Sequence, residues 1–270
     1  MSLPSTPEAS GTSGRWAAGV EYVGSAYSGW QSQEGVASIQ AELERAISSI
    51  ADRAVSVTAA GRTDAGVHAY QQVIHFDPGV QRDAYAWLLG VNTKLPRDIS
   101  LRWVQPVRAD FHARFSAGAR SYRYVIHNSR ARAALAGGRA WWVVSPLDEA
   151  AMHRAAQALL GENDFSAFRD SQCQSPTPMR NLHRIAVSRR GEFVFLDVTA
   201  NAFLHHMVRN IVGTLLPVGQ GKQPEAWVAQ VLAGRKRTEA GMTAESGGLY
   251  FVGPQYPAEF ALPAPAAPWF

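Results

Sequence analysis

Residues 60–68 read Ala60-Gly61-Arg62-Thr63-Asp64-Ala65-Gly66-Val67-His68, and this short run limits the fold more than any other part of the chain. Two glycines bracket it, so the backbone is free to take φ > 0 and to pass close to a ligand. Before it, Val55 and Val57 alternate with small residues. After it, residues 69–76 are rich in β-formers, among them Tyr70, Val73, Ile74 and Phe76. The pattern predicts strand, tight loop, strand, with a carboxylate held at the loop on a rigid scaffold. An ordinary hairpin turn in which Asp64 bonds its own backbone has the same composition. The added arginine and histidine set this loop apart.

The remaining elements fall into two similar series. A first strand is expected over 15–23, and a helix over 38–50 with the apolar stripe Ile39, Leu43, Ile47 and Ile50. A second helix over 83–89 offers Trp87, Leu88 and Leu89 to the core, and a strand follows over 99–107. Residues 119–127 alternate, with Tyr122, Tyr124 and Ile126 on one face and Arg123 and Val125 on the other. Ser145 before Pro146, with Asp148 after it, reads as a helix start, the helix running through Met152 and Leu159 to Gly161. Strands over 185–187 and 193–198 turn at Arg190-Gly191. Asn201 reads as the cap of a long helix with Leu204, Val208, Ile211, Val212 and Leu215 as its stripe. Another helix is expected between Pro224 and Gly234, and residues 249–252 form a closing strand. The expected class is α+β, with two lobes meeting near residues 110–118 and a cleft between them. The lobes are placed at 15–112 and 113–256. The run 1–14 reads as a disordered tail, and 257–270, rich in Pro and Ala, as a segment extended over a surface. No sequence repeat is strong enough to prove a duplication.

Charge narrows the partners. The net charge is +4, and apart from Lys94, Lys222 and Lys236 every basic residue is arginine. Between Arg102 and Arg139 stand eight arginines and one acid, Asp110, interleaved with Trp103, Phe111, Phe115, Tyr122 and Tyr124. Guanidinium forks suit phosphate oxygens and aromatic faces suit bases, which is a nucleic-acid footprint. A solvated basic face has the same pattern. The single cysteine, Cys173, excludes an internal disulfide framework and a cysteine metal cluster, and a reducing, cytoplasmic setting is the simplest context. It reads as a small packing residue, with no positional reason for a lowered pKa. No apolar run approaches the ~18 residues of a membrane span. No phosphate-binding P-loop, nucleophile elbow or zinc-protease motif is present. His205-His206 invites a metal reading, but adjacent helical residues point about 100° apart, so the rings are not expected to share an ion. His68 is expected to bond backbone. A catalytically silent RNA-binding module and a metal-dependent nucleotide hydrolase built on Asp64 and the histidines both fit these residues as well.

The loop AGRTDAGVHA strongly resembles the catalytic motif of tRNA pseudouridine synthases of the TruA family. The segments GSAYSGWQ (24–31), DFHARFSA (110–117), SYRYVIHN (121–128), LLGENDFSAF (159–168), QCQSPTP (172–178), NAFLHHMVRNIVG (201–213) and GGLYFV (247–252) match it in family order. The resemblance implies two RRM-like (ferredoxin-like) α/β lobes with a central, mostly antiparallel sheet and a basic cleft. It implies a homodimer that holds tRNA, and cofactor-free isomerisation of uridines at about positions 38–40 of the anticodon stem-loop. By that resemblance Asp64 is the catalytic carboxylate, and Arg209 is the cation that pairs with it. Arg62 fills the space vacated by the extruded base, Tyr122 stacks on the uracil, and Leu249 lines its pocket. Arg82, the segment Phe111, His112, Ala113, Arg114 and Phe115, and the segment Gln172, Cys173, Gln174, Ser175 and Pro176 correspond to tRNA-contacting regions. Two positions depart from the family pattern. Val23 stands where an aspartate is usual, and Ser32 where a basic residue often follows Trp-Gln.

Overall fold

The structure, a computed structural model, describes residues 14–265. The runs 1–13 and 266–270, expected to be tail, lie outside them. The first half contains β1 (Trp16–Tyr22), α1 (Ile39–Ala51), β2 (Thr58–Ala59), β3 (His68–Phe76), α2 (Ala84–Lys94) and β4 (Ile99–Pro106). The second contains β5 (Ala119–Asn128), β6 (Trp141–Val143), α3 (Glu149–Ala156), β7 (Gly161–Asp164), β8 (Met179–Arg190), β9 (Phe193–Ala200), α4 (Met207–Gly219), α5 (Ala226–Gly234) and β10 (Leu249–Gln255).

Among the described residues all ten strands join one sheet, in the order β4-β1-β3-β10-β5-β9-β8-β7, with β2 on β3 and β6 on β5. The two halves repeat one topology. In each, two β-α-β units interleave: β4-β1-β3-β2 in the first half and β10-β5-β9-β8 in the second. The expected α+β, ferredoxin-like architecture is therefore present twice, although no sequence repeat is strong enough to prove a duplication. The halves join because β2 is only two residues long. It pairs with the far end of β3 (Thr58 with His75, Ala59 with Ile74) and leaves the near end open. There β10 inserts in parallel, Tyr250 beside His68 and Phe251 beside Ala69, while its other edge runs antiparallel to β5.

The alternation read in β5 decides the layers. Tyr124 and Ile126 belong to the core beneath the helices of the second half, whereas Val125 packs with Phe195 and Tyr250 in a small cluster apart from it. A separate core gathers β1, β3, α1 and α2. Tyr122 touches both main cores, which puts it on the seam. The C-terminal residues Tyr256, Phe260 and Leu262 cross back onto the first core, and the Gln71 amide donates to the Pro263 carbonyl at 3.0 Å.

Several boundaries differ from the sequence reading. Ser38 caps α1, its Oγ accepting the Ala41 N–H at 3.3 Å, as its position before the apolar stripe suggests. The second helix runs on to Lys94. Its buried pair is Trp87 and Val91, four residues apart, and Leu89 is 45% exposed instead of core. Ser145 does not cap α3. Asp148 does, accepting the Ala151 N–H at 2.8 Å, while Ser145 receives the Gln220 amide. Asn201 does not cap α4 either. Its Oδ1 is occupied by the N–H groups of Ala202 (2.8 Å) and Asn181 (3.0 Å), and the helix begins only at Met207. The strand expected before the Asp64 loop shrinks to β2. No helix of the described residues is long and apolar enough to cross a membrane.

Helix α4 fits closely against residues 240–244. A Cβ on Gly213 would fall 1.7 Å from the Met242 carbonyl oxygen. Gly213→Ala must therefore push that loop off the helix. Such overpacking costs about 1–3 kcal/mol or more, which denaturant unfolding should read as a lowered midpoint at constant slope. An unchanged midpoint would mean that the loop yields freely.

Candidate active site

Asp64 sits in the loop that leads into β3, immediately before the two residue pairs that join the halves. The loop is fixed from several sides. The Thr63 carbonyl accepts the Trp30 N–H at 2.9 Å, and the Thr63 hydroxyl meets the buried Tyr22 hydroxyl at 2.8 Å. The Gln72 amide donates to the Gly61 carbonyl at 2.6 Å. Of the two bracketing glycines only Gly66 needs its freedom. Its φ is +80°, and a Cβ there would lie 2.6 Å from Ser246 Oγ. A Cβ on Gly61 would meet nothing within 4 Å, so the symmetry read in the sequence does not hold. His68 is buried. Its Nδ1 accepts the Gly24 N–H at 3.0 Å, and its Nε2 bonds the Gly138 and Gly247 carbonyls. It ties loops of both halves together, as a backbone-bonding residue was expected to do. Burial pushes its pKa down, against the pull of those carbonyls.

The Asp64 carboxylate is 27% exposed and faces the second half. Arg209, in the first turn of α4, brings Nη1 to 3.7 Å from Asp64 Oδ2. That separation is too long for a charge-assisted hydrogen bond but short enough for Coulomb attraction of about 4 kcal/mol at near-surface screening, before desolvation is subtracted. The guanidinium is anchored from behind, Nε donating to the Ala244 carbonyl at 2.7 Å. The loop carrying Ala244 is held in turn by the fully buried Asn210, whose Oδ1 accepts from Thr243 Oγ1 at 2.7 Å and Arg237 at 3.1 Å.

His205 and His206 correct the sequence reading. Because the helix starts at Met207, neither ring is on it, and His206 takes the left-handed conformation at φ +60°. The rings stack with centroids 3.9 Å apart. Both Nε2 atoms lie 3.4 Å from Asp64, one on each carboxylate oxygen. Both Nδ1 atoms face Asp170, His206 at 2.8 Å and His205 at 3.4 Å. The ligand atoms of Asp64, His205 and His206 lie within 4.8 Å of one another, a spacing that can also close around a divalent ion. Asp170 was not singled out in the sequence, since the matching segment ends two residues before it. Burial raises its pKa, but the Gln172 N–H and His206 outweigh that, so the carboxyl is held below its ordinary range.

Tyr122, on β5, packs its ring edge-on to Phe203 (5.0 Å) and against Phe251 (5.0 Å). Burial first, and then the charge of Asp64, push its phenol far up, so it remains a neutral donor. Leu249 is buried at the start of β10 and belongs to the second core. Arg62 is exposed two residues before Asp64. Arg82 is exposed, and its Nε donates to the Ile50 carbonyl at 2.9 Å. Within 111–115 the side chains divide. Phe111 and Ala113 are fully buried and hold the segment down, whereas Phe115 is 75% exposed and stacks on His112 at 4.3 Å with Arg114 over its ring. Of the second segment, Gln172, Gln174 and Pro176 are exposed, and Ser175 and Cys173 half-buried. Cys173 packs against the second core, as expected of a small packing residue, but its thiol departs from the reading given it. Burial raises its pKa, but the His205 and Ser175 N–H groups and the Arg169 guanidinium outweigh that and lower it.

Sequence reasoning also passed over Arg120. Its guanidinium donates to the carbonyls of Ala117 (2.9 Å), Asn201 (3.0 Å), Ala60 (3.3 Å) and Arg114, tying the Asp64 loop to both flanking loops. Its neighbours in sequence offer no signal of this, because all four acceptors are backbone.

The family described as tRNA pseudouridine synthase matches residues 18–116 and 155–257, which include Arg62, Asp64, Asp170, His205, His206, Arg209 and Leu249 but not Arg120 or Tyr122. The chain is similar to tRNA pseudouridine synthase A of Aeromonas salmonicida, 57% identical over 249 residues, 92% of this chain and 93% of that one. It is similar to the protein of the same name in Cronobacter sakazakii, 55% identical over 92% of each chain, and in Klebsiella pneumoniae, 55% identical over 94% of each. With a match of this extent over both halves and the loops that meet at their seam, the chain belongs to the tRNA pseudouridine synthase family.

Proposed function

We propose that the chain isomerises uridine to pseudouridine in tRNA, at about positions 38–40 of the anticodon stem-loop, with Asp64 as the catalytic carboxylate. The observation that carries this reading is the pairing of Asp64 in one half with Arg209 from the other, next to Tyr122 on the seam. The reaction breaks the N1–C1′ bond, turns the base and joins C5 to C1′. Nothing is oxidised, so one carboxylate suffices, acting by attack or by proton abstraction, and no cofactor is required. An ionised carboxylate is the active form, and a guanidinium beside it opposes the cost of partial burial. Tyr122 offers its ring to the uracil and Leu249 an apolar wall. Arg62, exposed two residues before Asp64, enters the stack that the target base leaves. Arg82, His112 to Phe115 and Gln172 to Pro176 provide tRNA contacts around the site, the buried Phe111 and Ala113 acting only through the segment they hold. We further propose that the chain works in the cytoplasm as a homodimer, as its resemblance to the family implies.

Asp64→Asn should abolish pseudouridine formation in a tRNA assay while leaving tRNA binding in place. Product at the wild-type rate would remove the residue from the mechanism, and the loss of wild-type activity in excess chelator would overturn the cofactor-free reading. Extruding a base costs a few kcal/mol, and losing the residue that holds it out should be felt in turnover more than in binding. Arg62→Ala is expected to bind tRNA within a few fold of wild type yet to turn over about 10-fold or more slowly, each 1.36 kcal/mol being tenfold. Equal turnover would exclude Arg62 from base extrusion. Phosphate contacts release counterions, so the logarithm of tRNA affinity should fall linearly with the logarithm of salt concentration. A flat response would contradict binding by the basic surface.

A further inference from the structure

One proton of the reaction has no acceptor among Arg62, Tyr122 and Arg209. When C5 joins C1′ it still carries its hydrogen. Restoring the C5=C6 double bond requires that hydrogen to leave as a proton, its C–H electron pair returning to the ring. N1, released from the sugar, gains a proton, so the sum is one proton off carbon and one onto nitrogen, with no outside reagent. The step needs a group with an available lone pair. Arg209 and Arg62 have none. Tyr122 is a phenol whose burial keeps it protonated.

Besides Asp64, which the earlier step engages, the two histidines remain, and the structure treats them differently. His206 Nδ1 is 2.8 Å from Asp170 Oδ2, a hydrogen bond, whereas His205 Nδ1 stands 3.4 Å from Asp170 Oδ1. An ionised carboxylate only accepts. The proton of a neutral His206 is therefore on Nδ1, and its lone pair is on Nε2, 3.4 Å from Asp64 Oδ2. Asp170 is itself fixed. Its N–H donates to the His205 carbonyl at 3.2 Å, and its Oδ1 accepts the Gln172 N–H at 2.8 Å. His206 also holds a left-handed backbone at φ +60°, a conformation that costs a non-glycine residue free energy and persists where surrounding structure enforces it.

We propose that His206 and Asp170 form a proton-accepting dyad, in which His206 Nε2 takes the proton from C5 in the last step and Asp170 positions the ring and fixes its tautomer. The division of labour is that of the aspartate and histidine in a serine hydrolase triad. The returned proton is then available to N1. His205, stacked on the ring, keeps it from turning away.

The proposal rests on the isomerase reading, and the test separates the two. tRNA carrying 5-deuterated uridine is turned over by wild type, His206→Gln, Asp170→Asn and Asp170→Glu. Loss of general-base help should lower kcat about 10²-fold or more in His206→Gln and Asp170→Asn, with KM little changed. A deuterium isotope effect on kcat larger than that of wild type should appear in both, because C5 deprotonation has become slow. N1–C1′ cleavage should continue in a single turnover, whereas it stops in Asp64→Asn if the isomerase reading holds. Asp170→Glu should recover part of kcat. In 15N spectra Asp170→Asn should move the His206 proton from Nδ1 to Nε2. An isotope effect equal to wild type in both slow variants would send the C5 proton elsewhere, to Asp64 for instance, and overturn the proposal, as would wild-type kcat in either. Should Asp170→Asn fail to fold by circular dichroism, His206→Gln decides the matter alone.

Discussion

Two residue pairs of parallel sheet, His68 with Tyr250 and Ala69 with Phe251, hold the site in register. They set the start of β3 against the start of β10, and so bring the Asp64 loop of one half over the first turn of α4 in the other. The contact exists because β2 stops after two residues and leaves that edge of β3 unpaired. An exposed strand edge is an invitation to pairing, and here the chain answers it internally. A longer β2 would complete the first half as an independent unit and remove the place where the carboxylate and the guanidinium meet. The site is thus a property of the junction, and neither half contains it alone.

How far this was legible in the sequence depends on which forces set each feature. The faces of β5 followed from alternation, since a period of two has one solution once a side is buried. The apolar stripes of α1 and α4 were readable for the same reason at a period of 3.6. The helix starts at Ser145 and Asn201 were misplaced because a capping residue is only a local preference. Ser145 and Asn201 use their side chains for distant partners, Gln220 and Asn181, which no local pattern announces. Asp64 and Arg209 were identified through family motifs, but their separation of 3.7 Å comes from the sheet junction. Asp170 and Arg120 were invisible because their meaning lies in what they touch far along the chain, the histidines for one and the Ala60 and Asn201 carbonyls for the other.

Arg120 shows how the loops around the site are kept in step. Four carbonyls, from residues 60, 114, 117 and 201, converge on one guanidinium. They belong to three irregular stretches or their edges, residues 114 and 117 sharing one, where backbone carbonyls otherwise lack partners. A planar fork with five donors satisfies several at fixed angles, and a lysine ammonium does not reproduce that geometry. The cation has carbonyl partners where an acid would be the usual choice. That leaves the carboxylates near the seam, Asp64 and Asp170, to Arg209 and the histidines.

The late start of α4 gives those histidines their position. Had the helix begun at Asn201, as the spacing of Leu204 and Val208 suggests, His205 and His206 would point about 100° apart and at most one could reach Asp64. Instead the chain stays irregular through His206, at a cost of about 1–3 kcal/mol for its left-handed conformation. The cost is offset by the neighbouring loop. Asp170 donates its N–H to the His205 carbonyl, Cys173 Sγ accepts the His205 N–H, and Asp170 bonds the His206 ring. Net hydrogen bonds of about 1 kcal/mol each, more where a charge takes part, are of the right size to hold it. Residues 169–173 thus serve as a clamp that turns two adjacent histidines from helix surface into the wall of the site, and this is why the segment that carries Asp170 shapes the proposed site as much as the loop that carries Asp64.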